Sequence, residues 1–390
     1  MPSKNAPQKI AHVTASPNFG GVERLILEIC RSLRQTKGVE HFVASFPEAG
    51  KAVPFLHEAE NAGFPAYLFK NDMPHLIAAT FEFVRLLKQH KIQILCAHGH
   101  KARMLGWFAA KYLRIPIVGI SHGWTGENRK IQCFEYIDKW MHRRMDHIVC
   151  VSQGQADKVI RSGTPASRVS VIYNAVKMER FDVPSDISFR YRLESMFPNK
   201  PTLIVGAAGR LSPEKGFDVL IAAAKQLAKS KLDVGIVIFG DGFLQETLQQ
   251  QIDNNGISQF VTLAGFTDQL DQYMHHFDLF VQSSHTEGMP SVLLEAMSAR
   301  RAVIATQVGG TGELVIEAPV NEGGNGMMVP PNDPKNLAEA LQKVLSDHNL
   351  RQTMGENGRQ RVEGSFAIET QAEAYFDLFT RLLRQYHKNK

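Results

Sequence analysis

The stretch "TLIVGAAGRLSPEKGFDVLI", residues 202–221, carries the organisation of this chain in miniature. An apolar run over residues 202–208 has the length of a buried strand. A glycine and a polar loop follow it, and Phe217, Leu220 and Ile221 then recur at helical spacing. The same alternation lies on both sides of a polar, proline-bounded stretch from about Val183 to Pro201. Before it come the strand candidates "KIAHVTAS", "EHFVASF", "IQILCAHG", "IPIVGISHG", "DHIVCVS" and "VSVIYNA". After it come "TLIVGAAGR", "DVGIVIFGDG", "FVTLAGF", "DLFVQSS", "RAVIATQVGG" and "GMMVPP". Stretches such as "GGVERLILEICRSLRQT" and "ARMLGWFAAKYLR" separate them with amphipathic helical spacing. An α/β chain of two Rossmann-like, doubly wound parallel-sheet domains is the simplest account, with residues 1–190 in one and 191–369 in the other. The closing segment, about residues 370–390, is helical and either packs on its own domain or crosses back to the first.

Size and composition agree. The chain has 390 residues, 44% hydrophobic, with 30 Gly and 18 Pro, which is the profile of a globular protein of two or three domains. The polar start "MPSKNAPQK" leaves no room for a signal peptide, and no apolar run reaches the ~18 residues of a membrane span. Residues 1–195 hold 27 Lys+Arg against 17 Asp+Glu, a net +10, while the remainder is net −5. A basic first half suggests an anionic partner, either a phosphorylated substrate or an anionic inner-membrane surface, as well as a merely solubilising one. No nucleic acid is expected. Cys30, Cys96, Cys133 and Cys150 have no zinc-ligand spacing and read as buried thiols in a reducing cytoplasm. The expected location is cytoplasmic, with peripheral contact to the inner face of a membrane.

In doubly wound sheets, ligands bind at loops leaving the C-terminal ends of strands. Four loops stand there: "SPNFGGVE", "HGW", "GRLSPEK" and "HTEGMPS", which are expected to line one inter-domain cleft. The glycines of "NFGGVERL" let helix-terminal amides approach an anion, although Gly-x-Gly-x-x-Gly is absent there and at "GDGFLQ". Arg210 and Lys215 combine a rigid fork with a mobile point charge, which suits a diphosphate. In "HTEGMPSVLLEAM", Pro290 fits the first position of a helix, so Glu287 lies in the loop and Glu295 more than a turn inside. At 1.5 Å per residue the two carboxylates are too far apart to share a proton, and phosphate-binding amides lie between them. That spacing fits a nucleotide sugar, with ribose at one end and sugar at the other. No His-x-x-x-His and no Asp-x-Asp occurs, so no metal and no cofactor are expected, and Arg210, Lys215 and helix amides must neutralise any diphosphate.

Nine motifs in order resemble the retaining nucleotide-sugar glycosyltransferases of the GT-B fold, family 4. They are "GGVERLI", "SHGWTGE", "VCVSQGQADKVI", "VIYNAVKMERF", "GRLSPEKGFDVLI", "FGDGF", "VTLAGFTD", "TEGMPSVLLEAM" and "GNGMMVPPNDPKNLAEAL". The resemblance implies that Glu295 holds the ribose hydroxyls. Glu287 and the backbone of Gly288, Met289, Pro290 and Ser291 would face the donor sugar. Arg210, Lys215 and Gly21 would take the diphosphate, His122 would stand beside the reacting sugar, and backbone near Phe266 would touch the base. It also implies that the closing helix returns to the first domain and that transfer retains configuration. With no second carboxylate evident beneath the sugar as a nucleophile, front-face substitution is the expected route. One departure is Asn174-Ala175, where the family commonly has Asn-Gly. The acceptor is expected to be a glycan or lipid-linked glycan of cell-surface polysaccharide or lipopolysaccharide synthesis, met by His98, Lys101 and Arg103. A nucleotide-sugar epimerase or phosphorylase on the same fold, or a non-catalytic nucleotide-sugar-binding protein, remain alternatives.

Overall fold

The computed structural model describes residues 8–15, 19–47, 54–72, 75–124, 129–183, 186–230 and 232–388. The chain divides into two compact units, Met1–Asn174 with Ile368–Lys390, and Ala175–Ala367.

The first unit is a seven-stranded sheet, all parallel, in the order β3-β2-β1-β4-β5-β6-β7. Its strands are β1 (Lys9–Thr14), β2 (Glu40–Ser45), β3 (Ala66–Leu68), β4 (Ile94–His98), β5 (Ile117–Ser121), β6 (His147–Cys150) and β7 (Val169–Val171). Crossovers run through α1 (Gly21–Lys37), α2 (Pro54–Asn61), α3 (Leu76–Gln89), α4 (Gly99–Leu113), α5 (Arg129–His142) and α6 (Gln153–Arg161). One face buries Ala11, Val13, Ala44, Leu95 and Ile117 under Phe83 of α3, Leu105 of α4 and Met141 of α5. The other buries Val43 beneath Ile26, Leu27 and Cys30 of α1 and Phe55 of α2. Both faces being covered explains why these strands read as continuous apolar runs. Six of the seven were expected. The seventh, β3, has three residues behind Pro65, too few to show a period.

The second unit repeats the winding. Its six parallel strands, in the order β10-β9-β8-β11-β12-β13, are β8 (Leu203–Ala208), β9 (Val234–Phe239), β10 (Val261–Gly265), β11 (Leu279–Gln282), β12 (Val303–Thr306) and β13 (Gly326–Val329). The helices are α7 (Ser188–Ser195), α8 (Phe217–Leu227), α9 (Gln245–Asn254), α10 (Leu270–Met274), α11 (Ser291–Ser298), α12 (Thr311–Leu314), α13 (Pro334–Ser346) and α14 (His348–Ser365). In both sheets the first strand is central and the winding reverses beside it. The switch points are therefore between β1 and β4 and between β8 and β11, where doubly wound sheets bind ligands.

The boundary lies earlier than the expected residue 190, because residues 175–195 are anchored in the second unit. Val176 bridges to Ala367, and its N–H donates to Phe366 O at 3.0 Å. Phe189 meets the Tyr273 ring edge-on at 4.8 Å, and Arg190 reaches Asp278 at 2.9 Å. The polar look of the stretch hid these few anchors. The closing helix, α15 (Ile368–Lys388), belongs to the first unit. It buries Tyr375 and Phe379, joins α1 through Lys37 and Glu373 at 2.8 Å, and takes a hydrogen bond from Gln8 at Thr380, 3.0 Å.

Candidate active site

In the second unit the loops after β8 and β11 meet across the switch point. Lys215 Nζ lies 2.7 Å from Glu287 Oε1, and Ser284 Oγ donates to the same oxygen at 2.7 Å. Two glycines hold this pair. Gly216, at φ 59°, follows Lys215 so closely beneath β11 that a Cβ would stand 2.2 Å from Ser283 O. The Ser283 hydroxyl in turn donates to Lys215 O at 3.0 Å. Gly309, at φ 51°, follows β12, and a Cβ there would stand 1.8 Å from Glu287 O. Its neighbour Gly310 donates N–H to Gly288 O at 2.8 Å. The backbone is thus fixed on both sides of Glu287.

Pro290 is the residue before α11 rather than its first residue, with φ −73° and ψ 109°, so the helix begins at Ser291. The separation of the carboxylates survives this shift of one position. Glu287 stays in the loop, while Glu295 is in the second turn of α11 and nearly buried. Arg180 Nη1 lies 3.7 Å from Glu295 Oε1 and its Nη2 lies 3.2 Å from Asp271. Arg210 is exposed, and among the described residues no carboxylate pairs with it. It is therefore a cation open to an anionic ligand, in contrast to Lys215. Met289 is buried and Gly288 and Ser291 are partly so, while Phe266 stands 67% exposed after β10.

In the first unit, Gly21 opens α1, and Glu23 accepts the N–H of Gly20 at 3.0 Å. His98 ends β4 and His122 follows β5. His98 Nδ1 and His122 Nε2 are 3.3 Å apart. Behind them Arg103 donates to both carboxylate oxygens of Asp138, at 2.7 and 2.8 Å, and to Ile120 O at 2.5 Å. Burial pushes the Asp138 carboxyl up, but Arg103 and His142 outweigh it and hold it low. Burial, then the Arg103 charge, lowers His122 to about 4, so its imidazole is neutral at pH 7.

The description "Glycosyl transferases group 1" matches residues 193–361, and "Glycosyltransferase Family 4" matches residues 19–180. The chain belongs to glycosyltransferase family 4. A UDP-Gal:alpha-D-GlcNAc-diphosphoundecaprenol alpha-1,3-galactosyltransferase of Escherichia coli is 27% identical, the alignment covering 97% of this chain and 98% of that one. The capsular polysaccharide biosynthesis glycosyltransferase CapM of Staphylococcus aureus is 23% identical over 85% and 90% of the two chains. Anabaena HepE, solved with UDP-glucose, superposes with a TM-score of 0.83 at 23% identity, over 96% and 99% of the two chains. The likeness establishes the GT-B fold of two parallel-sheet α/β domains.

Within this glycosyltransferase, the residues expected to meet an acceptor divide. Lys101 is partly exposed and pairs with Asp72 at 2.8 Å. Arg103 and His98 are each 5% exposed, and the Arg103 guanidinium is wholly engaged with Asp138 and Ile120, so an acceptor role for Arg103 does not hold. Its ion pair fastens α4 and α5 to β5. Sequence reasoning missed Ser284, Arg180 and the Gly309-Gly310 turn. The doublet in "QVGGTGE" after a strand was the available signal for the turn. Nothing local marks Arg180, whose carboxylate partners lie about a hundred residues further along the chain.

Proposed function

We propose that this enzyme transfers a hexosyl or N-acetylhexosaminyl group from a nucleotide-diphosphate sugar to a glycan or lipid-linked acceptor, with retention of configuration and without a metal. The observation that carries the reading is the group at the β8/β11 switch point. An open Arg210 and the Lys215–Glu287 pair stand beside the start of α11, with Glu295 in that helix. A diphosphate near Arg210 would draw Lys215 into a shared network, and their charge would stabilise the leaving group where a metal otherwise does. The free phosphate oxygen would then take the proton of the incoming hydroxyl on the same face. Glu295 would accept from ribose hydroxyls, and Glu287 would stand nearest the sugar. His122 and Gly21 keep the roles that the family resemblance implies, beside the sugar and on the diphosphate, with Phe266 near the base.

The name of the E. coli relative supports a UDP-sugar donor, a lipid-diphosphate acceptor and an α product, hence work in cell-surface polysaccharide or lipopolysaccharide synthesis. Among the described residues no helix is long and apolar enough to cross a membrane. A cytoplasmic enzyme resting on the anionic inner membrane surface is supported instead by α3, α4 and α5, which pack side by side. Each presents an exposed pair one turn apart, Ile77 and Phe81, Phe108 and Tyr112, and Tyr136 and Trp140, interleaved with Arg85, Lys88, Lys111 and Arg143. The deciding experiment incubates the enzyme with UDP-sugars and a GlcNAc-diphospholipid in EDTA, reading the product by proton NMR. An α-linked product is expected. A β linkage overturns retention, and loss of turnover in EDTA overturns metal independence.

A further inference from the structure

The face of the first sheet that α1 covers holds a small polar group inside an apolar layer. β1 and β2 pair with Ile10 beside His41 and His12 beside Val43, and side chains alternate along each strand. His12, His41 and Val43 therefore point to one side, where Cys30 of α1 packs in the same core cluster as Val43, Leu27 and Phe64. One ring nitrogen of His12, one of His41 and Cys30 Sγ all lie within 4.8 Å of one another. His12 is 2% exposed, His41 5% and Cys30 0%. Among the described residues, His12 Nε2 and both nitrogens of His41 have no hydrogen-bond partner. Buried polar atoms are almost always paired, so orphaned nitrogens gathered around one thiol need a physical reason.

Two imidazoles and a thiol are a metal-ligand set. At these separations some point lies within about 2.8 Å of all three atoms, and bonds of about 2.0 Å to nitrogen and about 2.3 Å to sulfur need only small side-chain rotations to close on an ion there. Burial holds both imidazoles neutral at pH 7, which leaves each a lone pair to give. Burial also pushes the Cys30 thiol up, so its proton leaves only when a cation takes its place. Charge selects the ion. The surroundings are apolar, and the Arg34 charge already helps to lower His41, so a site with net positive charge is disfavoured. A thiolate with a monovalent ion is neutral, whereas with a divalent ion it keeps a full positive charge. Closed zinc sites also take four ligands, and among the described residues this group has three. Thiolate and imidazole together suit copper(I).

We propose that His12, Cys30 and His41 form a structural site for one copper(I) ion, which fastens α1 to β1 and β2. Binding releases the Cys30 proton to solvent and leaves the oxidation state of the ion unchanged. The site lies wholly in the first unit and takes no part in the diphosphate chemistry proposed for the second.

The test loads the full-length enzyme with copper(I) under anaerobic conditions and challenges it with bicinchoninate, a chromophoric copper(I) chelator. One equivalent should stay with the protein, and X-ray absorption should show one sulfur and two nitrogens around the copper. The melting temperature should rise by about 5 °C or more, because the ion binds only the folded state. Cys30→Ser and His41→Phe should each lower copper affinity at least about a hundredfold, beyond the cost of losing an outer partner of a ligand, while binding UDP like the wild type. Copper without sulfur in its shell, less than about half an equivalent retained by the wild type, or unchanged affinity in either variant overturns the proposal. Zinc(II) retained in place of copper(I) under the same loading overturns the charge argument and the choice of ion with it. If neither variant folds well enough to bind UDP, the wild-type absorption spectrum decides by itself.

Discussion

Lys215 and Glu287 are seventy-two positions apart and share one short contact, so each alters what the other can do. Lys215 is paired with Glu287, and under the proposed reading a bound diphosphate would compete for it, whereas Arg210 is exposed. Lys215→Met should therefore weaken UDP about tenfold or more by calorimetry, since it removes a charge-assisted contact. Glu287→Gln should leave UDP affinity within about threefold but lower kcat about a hundredfold, the scale of one lost transition-state contact. Equal losses of affinity in both variants would contradict this division of roles. The two carboxylates of "HTEGMPSVLLEAM" were legible because proline and helical spacing are local properties. Their partners were not, because an ion pair between separate loops leaves no periodic trace.

At the level of elements, strands and helices could be read wherever burial on both sides imposed an apolar run or an amphipathic stripe. The reading failed at β3, which is too short, and at α7, which is attached through Phe189, Leu193 and Arg190. The outward sides of α3, α4 and α5 departed from the usual pattern in the other direction, carrying aromatics where helices normally place polar groups. Phe81→Ser, Phe108→Ser and Trp140→Ser combined should reduce co-sedimentation with vesicles of anionic lipid at least about fivefold, at an unchanged melting temperature. Equal binding to neutral vesicles, or none to either, would remove this surface from the account.

For the molecule as a whole, the buried histidines set an acid limit. Burial lowers His12, His122, His142 and His147 to about 4, and holds His41 and His98 well below their ordinary value. These rings are neutral in the folded protein, while the unfolded chain takes up protons below about pH 6.5. Their stability contribution is therefore complete above that pH and is lost as pH falls toward 4, at up to about 1.4 kcal/mol per pH unit for each ring. Denaturant titrations at stepped pH should show this slope, shallower by about one ring's share in His12→Phe. A flat profile between pH 6.5 and 4.5 would mean that the rings are solvated.

By itself the sequence determined two wound α/β units and a family, because strand runs, helical stripes and ordered loop motifs are short-range patterns set by burial and chain geometry. It also placed Arg210, Lys215 and Glu287 in loops that follow strands, and Glu295 inside the helix after the last of them. Only the tertiary structure decided that Lys215 binds Glu287, that Arg180 meets Glu295, that Arg103 is locked to Asp138, and that the rings of His12, His98 and His122 come within 3.4 Å nitrogen to nitrogen. Those contacts join residues that parallel crossovers bring together from distant parts of the chain. Polar pairing of that kind depends on three-dimensional direction and distance, neither of which a linear spacing encodes.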